Sequence, residues 1–111
     1  MTPEQRLAAF QKIVEQKPDD PFARYSLAMA LRGAARAEEA VVQFRELARR
    51  APDYVPTYLM LGQALEGLGR DVEAAAAYED GIACAARKQD GHARSELAGA
   101  LEAVRARGAS R

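Results

Sequence analysis

The chain has 111 residues and a mass of 12.0 kDa, enough for one domain with a modest core and not for two. Sixteen basic residues balance sixteen acidic ones, which excludes an overall field drawing it to nucleic acid or an anionic membrane. The single cysteine, Cys84, excludes an internal disulfide, and no run of about eighteen apolar residues offers a membrane span, so a soluble cytoplasmic protein is expected.

Abundant alanine, with Pro and Gly gathered at a few places, suits short packed helices rather than strands. The first is expected over 3–16. There Thr2 caps, Pro3 suits the first turn and Gln5 completes a capping box. Asp20 followed by Pro21 opens a second over 21–33, stopping at Gly33, where the lack of a β-carbon lets the chain turn. A third is expected over 37–50. Pro56 opens a fourth over 56–67, with Gly67 and Gly69 as stop signals. Tyr58, Leu59, Met60 and Leu61 stand consecutively in it, and four such residues point almost all the way round a helix. A fifth helix over 71–86 ends on Ala86 rather than proline and can run on. The segment ARKQDGHA supplies the next turn. In a sixth, over 91–106, Ala93, Leu97, Leu101 and Val104 form an inward stripe with Ser95, Glu96, Glu102 and Arg105 facing away. From Arg107 the tail RGASR is expected to fray.

Sliding the chain along itself by 34 residues aligns Phe10 with Phe44 and Tyr78, Leu27 with Leu61, and Leu31 with Leu65. The same shift pairs Pro18 with Pro52, Arg36 with Arg70 and Ala40 with Ala74. A fixed period of this length marks a stacked supersecondary unit. Two complete units are fewer than such arrays usually need, so the end helices must cover the apolar faces left open.

The segment YLMLGQALEGLGRDVEAAAAYEDGIA resembles the tetratricopeptide repeat, with Tyr58, Leu61, Gly62, Leu65, Gly69, Ala74 and Tyr78 at the motif's large and small positions. The preceding copy resembles it through Leu27, Ala28, Leu31, Ala40, Phe44 and Pro52. It departs at Arg24, where the motif prefers a large apolar residue, and at Leu47, where it prefers a small one. The resemblance implies an all-α superhelix of six antiparallel helices in a single domain. Its parts are a degenerate half repeat over 3–18, repeats over 21–54 and 55–86, and a capping helix over 90–106. Small residues at Ala28, Gly62, Ala40 and Ala74 are expected where paired helices approach, and Phe44 and Tyr78 are expected to fill the space between hairpins.

In the fourth helix Tyr58, Leu61, Gly62 and Leu65 share a buried stripe, which leaves Leu59, Met60, Gln63 and Glu66 on another side. Phe22, Tyr25, Met29 and Arg32 take the corresponding side of the second helix. By resemblance these eight line a concave groove for an extended or helical peptide of another protein. Its floor would be Tyr25, Met29, Leu59 and Met60, and Arg32, Gln63 and Glu66 would give polar contacts at its edge. Methionine adapts its shape to varied apolar partners. The competing reading makes the same residues ordinary core under the last helix. Some family members clamp a terminal carboxylate, but the matching positions here hold Tyr25, Met29, Met60, Asp90 and Arg94. Only Arg94 suits that role, which argues against the clamp.

Nothing in the sequence carries catalysis, a metal or a cofactor. His92 and Cys84 supply only half the ligands of a zinc site. Cys84 reads as a small filler in an alanine-rich helix, and GLGRD lacks the lysine of a phosphate loop. Glu38 with Glu39, and Glu79 with Asp80, splay around their helices rather than converging. The expected function is therefore a protein-interaction module binding a partner peptide. Self-association into a homo-oligomer is the rival, and RNA binding through the basic C-terminal helix is disfavoured because residues 79–111 lack aromatic stacking groups.

Overall fold

Local capping chemistry starts the helices. In α1 (Pro3–Gln16) the Thr2 hydroxyl accepts from the Gln5 backbone N–H while the Gln5 side chain accepts from that of Thr2. In α2 (Pro21–Gly33) the Asp20 carboxylate accepts from the Phe22 N–H. Helix α3 (Ala37–Arg50) and helix α5 (Asp71–Arg87) instead place two acidic residues each in their first turns, and α4 (Pro56–Gly67) starts on proline. Helix α6 spans Gly91–Ala109. The computed structural model describes residues 1–109, and the end of the tail expected to fray lies outside them.

The helix stops depart from expectation in one respect. Gly33 and Gly67 close their helices, but the left-handed conformation falls two residues later, at Gly69 (φ 74°) as its stop signal indicates, and also at Ala35 (φ 60°) and, after α5, at Gln89 (φ 55°), which no glycine marks. Each precedes an N–H that reaches back five residues. Arg36 donates to Leu31, Arg70 to Leu65 and Asp90 to Ala85, all at 2.9 Å. This closure requires a left-handed residue at the penultimate place, whatever its side chain. Helix α6 also runs past residue 106, because Arg107 is held by carboxylates of α4 and α5.

Sequential helices pack as neighbours, with α6 also touching α4. Polar pairs tie α1, α3 and α5 into one layer. Arg36 meets Glu39 and, at 3.6 Å, Glu4; thirty-four residues on, Arg70 meets Glu73 and, at 3.5 Å, Glu38. Val72 occupies the next place in that series and is 86% exposed. Helices α2, α4 and α6 form the second layer, where the Arg32 guanidinium donates to Gln63 of α4 at 3.1 Å. The structure is thus an all-α array of antiparallel hairpins, 41 × 32 × 20 Å in extent.

The tightest approach lies inside a hairpin. A β-carbon on Gly62 would fall 2.1 Å from the Tyr78 ring. One on Gly81 would fall 2.5 Å from Tyr58 Cβ and 2.9 Å from Leu97. Tyr78 and Phe44 are fully buried, but they do not simply fill the space between hairpins. Tyr78 lies on Gly62 of its own hairpin, and Phe44 makes an edge contact with Tyr25 of its own at 6.2 Å.

Arg24, the departure from the large apolar position, is explained by what it touches. Tyr58, thirty-four residues later, donates its hydroxyl to the Pro52 carbonyl. The Arg24 guanidinium reaches the Pro18 carbonyl at 3.4 Å and Gln43 at 2.8 Å, a polar substitute for the same bond. Leu47 is accommodated as a large buried side chain.

Gly62→Ala should lower stability by about 1–3 kcal/mol in chemical denaturation, since the Tyr78 ring cannot fold aside as a flexible chain end would. An unchanged midpoint would contradict the packing described. Ala35→Gly should raise the thermal midpoint by the equivalent of up to about 1 kcal/mol, because glycine relieves the left-handed strain. A lowered midpoint would contradict it.

Candidate functional site

Helix α4 is apolar on two sides. One side, with Tyr58, Leu61, Gly62 and Leu65, is buried, while Leu59 and Met60 on the other remain half-buried. A cleft of about 410 Å³ opens there between α2, α4 and α6. Tyr25, Leu59 and Met60 line it, joined by Val55 and Pro56 at the start of α4 and by Ala93 and Leu97 of α6. Asp90, His92 and Glu96 stand along the α6 wall.

Tyr25 is held by two edge-to-face contacts, with Phe44 at 6.2 Å and Tyr54 at 5.8 Å. Burial, reinforced by Tyr54, raises its phenol above the ordinary range. On the α6 wall Asp90 accepts from the Ala93 N–H at 3.0 Å and fixes the helix start. His92 lies 3.4 Å from Glu96 and is itself exposed.

The eight residues marked by sequence do not form one continuous groove. Tyr25, Leu59 and Met60 share the cleft. Arg32 and Gln63 continue from Met60, with Arg32 Nη1 3.5 Å from the Met60 sulfur and 3.1 Å from Gln63 Oε1. Met29 lies in an adjoining shallow groove with Arg6, Phe10 and Ser26. Phe22 projects into solvent, 65% exposed, and lines neither. Glu66 is not a free edge contact. It accepts from the Tyr78 hydroxyl and, at 2.7 Å, from Arg107, which also meets Asp71 at 3.1 Å.

The last helix therefore supplies a wall of the cleft without sealing its floor. Sequence reasoning missed that wall. Ala93 belonged to the inward stripe of α6, but its small size where α6 begins is what leaves space beside Leu59. Cys84 is fully buried, and burial pushes its thiol up. Among the described residues no His, Cys, Asp or Glu group is arranged to hold a metal ion, and no helix is long and apolar enough to cross a membrane.

No family model and no curated protein matches the chain. Among solved structures, a tetratricopeptide repeat domain protein from Salinibacter ruber is 38% identical. That match covers 78% of this chain and 88% of the other, with a TM-score of 0.75. PcrH in complex with the chaperone binding region of PopD shares the fold at 18% identity, covering 96% of this chain and 80% of that one, TM-score 0.88. The Yersinia enterocolitica secretion chaperone SycD with a peptide of the translocator YopD does so at 15% identity, covering 96% and 82%, TM-score 0.85. Fold and likeness together define a helical-hairpin repeat protein. The chain belongs to the tetratricopeptide repeat family.

Removing the Arg107 strap tests how α6 is held. Arg107→Ala should leave the overall helical circular dichroism nearly unchanged while amide exchange quickens in the last turns of α6. Unchanged exchange there would show that apolar packing alone fixes the helix.

Proposed function

We propose that this chain is a non-catalytic binding module that holds an apolar peptide segment of another protein in the cleft between α2, α4 and α6, and that it works in the cytoplasm. One observation carries the reading: Tyr25, Leu59 and Met60 are drawn together around an open cleft with only part of their surface covered by the chain itself. Charged groups stand at the walls rather than on the floor, the usual layout of a peptide-docking surface. That PcrH and SycD hold segments of PopD and YopD on the same fold supports it.

In this reading a half repeat over 3–18 and repeats over 21–54 and 55–86 form the array, and the helix from residue 90 onward closes it. Met29 extends the docking surface towards α1, and Phe22 gives a partner an apolar contact at the rim. A cleft this short buries less than about 1,200 Å² in total, which implies modest, reversible affinity.

The Leu59→Glu, Met29→Glu double variant should fold normally by circular dichroism and lose the partners that the parent chain captures from its source cell. Retention of every partner by a folded double variant would overturn the groove assignment. A homo-oligomer broken by the same substitutions in light scattering would favour self-association instead.

A further inference from the structure

Resting on the groove reading, we infer that the inner surface selects a segment carrying an aspartate or glutamate beside its apolar residues, with Arg32 as the group that meets the carboxylate. The Arg32 guanidinium is half-buried beyond Met60, and both of its hydrogen-bond contacts leave from Nη1 to neutral acceptors, Gln63 Oε1 and the Met60 sulfur. Neither contact neutralises the charge. Nε and Nη2 have no partner among the described residues.

Every arginine of α3 and α5, by contrast, makes an ion pair. Helix α2 contains no acidic residue at all. Arg6, beside Met29 in the adjoining groove, also lacks a carboxylate partner among the described residues. The α1–α2 side of the inner surface is thus cationic, while Asp90 and Glu96 stand across the cleft on α6. A guanidinium with an open edge matches a carboxylate fork in two parallel bonds. The asymmetry also sets a direction: the acidic residue lies over Arg32, away from the carboxylates of the α6 wall, and the apolar residues run past Met60 and Leu59 towards α6.

The test uses the full chain against a displayed library of random peptides about 12 residues long, with the consensus peptide resynthesised for titration. The consensus should hold an acidic residue next to two or more apolar ones. Replacing that residue by its amide should weaken binding about tenfold in the parent chain and less than about twofold in Arg32→Gln, the mark of direct coupling. In case Arg32→Gln perturbs the fold, salt provides a second readout on the parent chain: it should weaken the acidic peptide and spare its amide counterpart.

A consensus without acid, an equal loss in Arg32→Gln, or equal salt dependence of the two peptides would overturn the inference. If such peptides are nonetheless lost in Leu59→Glu, the groove reading stands without it. Peptides that survive Leu59→Glu, or a library yielding no binder, would overturn both.

Discussion

The close approach of α4 and α5 at Gly62 is the contact on which the rest depends. The Tyr78 ring occupies the volume a β-carbon would need, so the two helices lie nearer than side chains on both would allow. That contact fixes the rotation of α4 about its own axis. With Tyr58, Leu61 and Leu65 turned to the hairpin, Leu59 and Met60 must turn away from α5 to the cleft beside α2 and α6, since four consecutive helical residues cannot share one face. The apolar floor of the cleft is the geometric remainder of the core packing.

Helix α6 converts that remainder into a bounded site. Leu97, Leu101 and Val104 anchor it as core, and Leu97 reaches the second close approach, at Gly81. Near its end Arg107 joins Glu66 of α4 to Asp71 of α5. Surface ion pairs of this kind add little stability individually. Here they bind three helices at one point, well along the chain from the mouth that Asp90, His92 and Glu96 flank. The small Ala93 sits between, so the helix closes the core and leaves the cleft open.

Much of this was readable in the sequence, for reasons that differ by feature. Helix starts followed from Thr2, Asp20 and the prolines because capping is a local interaction. The hairpin pattern followed from the 34-residue spacing of large and small residues, which encodes nearest-neighbour packing. What escaped were contacts between residues far apart in the chain. Nothing near Arg107 announces Glu66, forty-one residues earlier, and nothing near Phe22 shows that its turn of α2 projects beyond the cleft. Arg24 misled as a break in the motif, because a guanidinium can reach the same carbonyl as a tyrosine hydroxyl from an equivalent backbone position. Ala35 and Gln89 carry no sign of their left-handed backbone, which the following hydrogen bond imposes.

The series Glu4, Glu38, Val72 gives the array a polarity between its two ends. Helices α1 and α3 each offer a carboxylate to the arginine of the helix laid against them, and α5 offers a methyl-bearing side chain to water at that place. A helix packed against α5 in that layer would meet a valine where the α1–α3 and α3–α5 junctions each have a carboxylate.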